Sequence, residues 1–168
     1  TGFSKPYVAK YNNTGGVVSY SGAMLLARGV SVSLSLNTTD DNTFYADNVS
    51  AEVAAATFSD GTATLTVDGL LAAAEKFIYG LPEAANVEVG GNQVAVSHYG
   101  DGMDVPYVGI GFVVRYQSAG VVTYAPVVLT KARFQQAGLD AATQEASIDW
   151  QTQELTANLM REDTSNND

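Results

Sequence analysis

Two long runs of β-branched and aromatic residues flank a short break in VPYVGIGFVVRYQSAGVVTYAPVVLTKARF, the stretch from Val105 to Phe134. Such residues suit a pleated surface, and a Gly-containing break reverses the chain. The stretch therefore predicts a long β-hairpin about Gln117-Ser118-Ala119-Gly120. Pro126 has no amide donor, which places the second arm near a sheet edge or at a bulge. Gly109 and Gly111 weaken the first arm or let another backbone come close. A hairpin of this length reaches beyond the body of a small domain, and the rest of the chain has to hold it.

The other segments read as β structure with one helix. Thr1 to Gly16 is a polar N-terminal arm ending in a strand around Tyr7 to Tyr11 and the turn cluster Asn12-Asn13-Thr14-Gly15-Gly16. Gly29 to Asn37 alternates cleanly. Val30, Val32, Leu34 and Leu36 fall on one face, expected to be buried, and Ser31, Ser33 and Ser35 on the other. Thr38 to Ser50 reads as an acidic loop carrying Phe44 and Tyr45, two rings that favour either a partner surface or packing on their own domain.

Ala51 to Phe58 and Thr62 to Val67 are expected to pair about Ser59-Asp60-Gly61, with Thr62, Thr64 and Thr66 on one face. Leu70, Leu71, Ala74, Phe77 and Ile78 share a helical face, with Asp68 as N-cap and Gly80 as the stop. A small hairpin turns at Gly90-Gly91-Asn92. The last strand, Ile148 to Met160, switches parity near Gln151 to Glu154, which predicts a bulge. Arg161 to Asp168 is expected to be a frayed acidic tail. There is no repeat or linker, so 1–168 reads as a single domain.

Composition narrows the function. With no cysteine and one histidine, His98, disulfides, thiolate sites and multi-histidine metal sites are excluded within one chain. The net charge of −10 argues against ordinary nucleic-acid binding, which needs Lys and Arg to neutralise phosphates. No apolar run is long enough for a membrane span, and the first residues show neither the basic patch nor the apolar run of a secretory signal. Enzyme motifs are missing. Gly109-Ile110-Gly111 lacks a third glycine and sits inside a strand. Asp40-Asp41-Asn42-Thr43-Phe44 starts like a calcium loop but fails at Phe44. The expectation is a non-enzyme without cofactor or metal.

Four pieces in series resemble one family: FYADN at Phe44 to Asn48, TATLTVDGL at Thr62 to Leu70 with its helix, the long hairpin, and AATQEASIDWQTQELTAN at Ala141 to Asn158. Together they are similar to the major tail proteins, or tail tube proteins, of long, non-contractile-tailed phages of the siphovirus type, as found in phages of Gram-positive bacteria. There are two departures. Gln144 stands where a basic residue is expected, and the usual proline after Phe134 is missing.

The resemblance implies a mainly β fold with one short α-helix, a β-sandwich or half-barrel similar to the type VI secretion tube protein. Six copies complete it as a β-barrel in a hexameric ring, and stacked rings conduct genome DNA into the host. Partners would be the chain itself, the tape measure, terminator and distal tail proteins, and DNA in transit without specific binding. The protein would be assembled in the host cytoplasm and reside in the virion tail.

On that reading Ser31, Ser33, Ser35, Glu52, Thr62, Thr64, Thr66 and Asp68 face the lumen. Asp40, Asp41, Phe44, Tyr45 and Asp47 make the ring-to-ring contact within the loop at about 38–50. A wall of the same sign as DNA would repel phosphates, over a screening distance of about 8–10 Å. The alternatives are a β-sandwich binding module, adhesin or carbohydrate-binding, and a secretion-system tube protein of the same fold.

Overall fold

The computed structural model describes residues 2–39, 42–46, 49–54, 57–96, 100, 102–136 and 152–164, with 42–54 as backbone alone. The first strands in chain order are β1 (Gly2–Thr14), β2 (Val17–Leu25), β3 (Arg28–Thr38), β4 (Asn42–Ala46), β5 (Val49–Ala54) and β6 (Phe58–Asp68). Helix α1 (Ala72–Tyr79) follows, and then β7 (Ala85–Val89), β8 (Asn92–Val96), β9 (Val108–Ser118), β10 (Val121–Phe134) and β11 (Thr152–Met160). The fold is mainly β with a single short helix among the described residues.

Seven strands make one sheet in the order β2-β1-β9-β10-β11-β6-β3, and β4-β5 and β7-β8 form separate two-stranded sheets. The outermost strands, β2 and β3, are consecutive in the chain and joined through the buried Leu26 and Ala27. One short crossing between the two margins requires a sheet rolled upon itself. The Leu26 amide donates to the Pro6 carbonyl at 2.8 Å, and the Phe3 ring fills the space a Cβ at Gly29 would need. The roll stays open, since no ladder joins β2 to β3.

The core lies inside the roll. Val8, Val108, Ile110 and Phe112 line one wall, and Ala63, Leu65, Val67, Leu155, Ala157 and Leu159 the other. Leu65 and Leu155 are opposite each other across β6 and β11, and both are fully buried. Each contributes roughly 1.5–3 kcal/mol by leaving water. Helix α1 contributes Ala74, Ile78 and Tyr79 to the same core. The helix stops at Gly80, whose φ of 59° is left-handed and whose amide reaches the Phe77 carbonyl at 3.3 Å. A Cβ at Gly80 would overlap the Asp104 carbonyl, so only glycine fits.

The long hairpin is present, in unbroken register from Val121–Ser118 to Leu129–Ile110. Its turn is tighter than expected. Gln117 and Ser118 belong to β9, and Ala119 and Gly120 alone make the turn, both with positive φ, the type that suits strand twist. Residues 115–124 are all exposed, so the tip does project. Pro126 pairs with Val113 of β9 only, because β10 meets β11 just at Ala132 to Phe134. Its missing donor therefore faces an open margin, and a register shift follows between Leu129 and Ala132. The close approach at Gly109 comes from a ring: a Cβ there would lie 2.5 Å from Tyr20.

Several sequence expectations are corrected. The N-terminal arm is strand β1, inside the sheet between β2 and β9, with Pro6 buried. Ser59-Asp60-Gly61 is no turn. Phe58 to Asp68 is one strand between β3 and β11, and Gly61 is needed because a Cβ would meet the Ser35 carbonyl at 2.6 Å. Residues 49–54 pair instead with 42–46, so the loop at 38–50 is largely a hairpin arm. Asp68 ends β6 and does not cap the helix, whose N-cap position is Leu71; Gly69, with φ 69°, turns the chain between them.

β11 pairs with β6 from Thr152 to Met160 without a shift, so it holds no bulge. Of the range expected to hold the bulge, Gln151 lies outside the described residues, as do Gln144 and His98. The start of the tail is held in place: the Asp163 carboxylate accepts from Lys131 at 2.6 Å and from the Tyr11 hydroxyl at 3.1 Å.

Candidate assembly surfaces

Alternation along β3 and β6 becomes a two-dimensional pattern once the strands are paired. Ser31, Ser33 and Ser35 stand opposite Thr66, Thr64 and Thr62. Residues directly opposite in an antiparallel pair share a face. β11 extends the row, with Glu154, Thr156 and Asn158 opposite Thr66, Thr64 and Thr62. Three adjacent strands thus present a continuous polar face of small hydroxyl side chains, while their other face carries Leu65, Leu155 and Ala157 into the core. The serines are exposed and the threonines partly so.

Six of the eight residues expected to share a lumen face are brought together in this way. Asp68 joins them at the end of the row, opposite Thr152 and 3.9 Å from the Arg28 guanidinium. That pair is too exposed to stabilise the fold appreciably. Glu52 does not join. It lies on β5, opposite Phe44 in the backbone register, on the separate arm.

The face holds further carboxylates in Asp60 and Glu154, with Arg28 at one end and Arg133, opposite Asn158, at the β10 margin. Its charge is therefore close to balanced and hydroxyl groups dominate. Glu154, Thr156 and Asn158 were missed as members of this face. Their alternation with Leu155, Ala157 and Leu159 carried the signal.

β3 is an edge strand, and its apolar row is incompletely covered. Val30 is 51% exposed, Leu34 40% and Leu36 59%. The expectation of a buried row fails here because, among the described residues, no layer covers this end of β3. Val30 also sits in the register shift between Gly29 and Ser31. The β10 margin behaves similarly: Val121, Tyr124 and Val128 are each more than three fifths exposed. Open ladders beside exposed apolar side chains are an invitation to another strand.

Of the expected ring-to-ring residues, two lie on the arm. Phe44 and Tyr45 are in β4, opposite Glu52 and Ser50; Asp40, Asp41 and Asp47 fall outside the described residues. The arm leaves the main sheet where the Thr39 amide donates to the Thr57 carbonyl at 2.8 Å.

Beside α1 is a groove of about 750 Å³ lined by Tyr11, Phe77, Tyr107, Lys10, Lys76 and Arg133, among others. Lys131 lies 5.1 Å from the centre of the Tyr107 ring and Arg133 5.5 Å from it. Lys131, hydrogen-bonded to Asp163, holds that carboxyl below the ordinary aspartate range, assisted by Tyr11. Burial pushes the Tyr20 phenol up, with Glu162 adding to the shift.

Among the described residues no helix is long and apolar enough to cross a membrane, and no three His, Cys, Asp or Glu side chains converge as a metal site. No family model, curated protein or solved structure matches the chain.

Proposed function

We propose that this chain is the tube-forming subunit of a long, non-contractile phage tail, a structural virion protein without catalysis. Its rings would be hexameric and stack into a hollow conduit for DNA. The observation that carries this reading is the Ser/Thr face across β3, β6 and β11, bordered by an unfilled β3 edge with an exposed apolar row. Monomeric proteins blunt such edges with charge, proline or a covering segment. An edge left apolar is accounted for if a second copy completes it, and repetition round a ring removes edges altogether.

The polar face then becomes the channel wall. Hydroxyl groups with nearly balanced charge offer DNA phosphates no array of cations to bind, which suits passage without retention. The remaining partners on this reading are the tail proteins at the two tube ends and the tape measure inside.

The aromatic groove beside α1 favours a second reading, a β-sandwich module that binds sugars and stays monomeric. Electron microscopy of the concentrated protein separates the two. Hollow tubes of uniform width support the tail reading; a monomer at every concentration rejects it.

A further inference from the structure

Gly109 and Gly111 stand two apart on β9 and face away from the core, because their neighbours Val108, Ile110 and Phe112 are buried in it. Their surroundings differ. The Tyr20 ring lies where a Cβ at Gly109 would be, whereas a Cβ at Gly111 would meet nothing closer than the Val127 carbonyl oxygen at 4.0 Å. Gly111 is therefore the floor of an open notch in the outer face of the sheet.

The surroundings of that notch are apolar. Leu25, Tyr7, Gly111 and Val128 are opposite one another across β2, β1, β9 and β10 and form one row. Leu25, Tyr7 and Val128 are exposed. The next row on the same face adds Val113 and Pro126. Lys5, in the register shift of β1, and Arg115, opposite Tyr124, border the patch. Four strands at a spacing of roughly 4.8 Å make it about 14 Å across.

The chain carries a second apolar surface of matching size. β7 and β8 pair only with each other, and every residue of both is exposed. Ala85, Val87 and Val89 share one face with their partners Val96, Val94 and Asn92. A lone two-stranded hairpin is marginally stable in water and needs a further apolar layer. Among the described residues the four valines find no such layer in their own subunit. Strands of five residues are about 16 Å long. The one charge in residues 85–96 is Glu88, opposite in sign to Lys5 and Arg115.

We infer that the valine face of β7–β8 packs on the Gly111 notch of a second copy of this chain, with a valine side chain seated between Tyr7 and Val128. Both surfaces then leave water together. They are unlike surfaces, so the contact is heterologous and passes from copy to copy. About 14 Å by 16 Å is about 220 Å² a side, well below the roughly 800 Å² per partner of a stable pair. The contact therefore holds where many copies repeat it. The inference rests on the tube reading for that repetition, but the contact can be tested apart from it.

The absence of cysteine makes disulfide trapping clean. Concentrated Val94→Cys protein is mixed with Val128→Cys protein under mild oxidation. In the control, Ala95→Cys, on the other face of β8, replaces Val94→Cys. The expected result is Val94/Val128 heterodimer at ten times the control yield or more. The yield should fall at least tenfold when the Val128→Cys chain also carries Gly111→Phe, which fills the notch. Gly111 has no positive φ and has space above it, so the subunit tolerates the ring. Val87→Lys on the Val94→Cys chain should cause the same loss while leaving the notch untouched. Yield equal to the control, yield unmoved by either change, or disulfides chiefly between two Val94→Cys chains overturns the inference. Microscopy of the unmodified protein separates the two claims: tubes without trapping discard the hairpin contact and keep the tail reading, whereas trapping without tubes does the reverse.

Discussion

Leu36→Thr separates the stability of the subunit from its capacity to assemble. Leu36 points along the core-facing row of β3, opposite Gly61, yet is 59% exposed because β3 ends the sheet. Full burial of a leucine is worth roughly 1.5–3 kcal/mol. The isolated subunit realises about two fifths of that, so the substitution costs it about 1 kcal/mol. For a chain of this size the melting temperature should fall by about 2–4 °C. The remaining three fifths, about 1–2 kcal/mol, is gained only when another copy covers the edge. Its loss should raise the concentration at which the protein assembles by about 5- to 30-fold per contact. Threonine keeps the strand preference, so backbone pairing is not at issue. Melting of dilute protein and light scattering across a concentration series measure the two effects separately. A variant that melts 2–4 °C lower and assembles at the wild-type concentration would refute the role given to the β3 edge.

Three further outcomes are expected. Gly80→Ala forces a Cβ into the left-handed region, at about 1–2 kcal/mol, and should break the 3.2 Å bond from the Asp104 amide to the Gly80 carbonyl, at about 1 kcal/mol more; a denaturant midpoint unchanged by the substitution would contradict the close packing seen there. Asp163 has a lowered pKa in the folded state, so its contact with Lys131 and Tyr11 is complete above the ordinary aspartate range and is lost as pH falls through the lowered value; NMR of the Lys131 and Tyr11 side chains should show the tail start releasing only below about pH 4, and release near neutrality would contradict the assignment. Ser33→Lys with Thr64→Lys puts two adjacent cations on the polar face and should leave the subunit folded while making its tubes retain double-stranded DNA in a salt-dependent way; tubes that still ignore DNA would place the face away from the channel.

Local periodicity made much of this fold legible. The Ser/Leu alternation of β3, the long hairpin, and the stop at Gly80 could all be read from side-chain spacing and from the backbone freedom of glycine. Partnership was harder to see. Gly61 looks like a turn residue beside Asp60, but it is there for close approach to the Ser35 carbonyl within a continuous strand. A glycine signals both situations alike until the neighbouring strand is known. The β4–β5 arm was hidden because its residues are acidic and short-spaced, and because its two strands pair only with each other.

The exposure of Leu34 and Leu36 could not be read from their pattern either. Alternation reports which face a residue is on, and only topology reports whether anything covers that face. The polar face was half legible: its serines and threonines could be paired by guess, but Glu154, Thr156 and Asn158 join it only through the β6–β11 register. The groove brings together Lys10, Lys76 and Arg133 from three distant parts of the chain, and no local pattern announces it.

The central claim of the proposal is that β3, which has no neighbour on its outer side among the described residues, acquires one from a sister copy. Amide hydrogen exchange along Arg28–Thr38, compared between dilute and concentrated protein, tests it most directly. The account predicts that alternate amides of β3, those not bonded to β6, exchange quickly in dilute protein and become protected by several orders of magnitude as tubes form. Equal protection of those amides at both concentrations would contradict it.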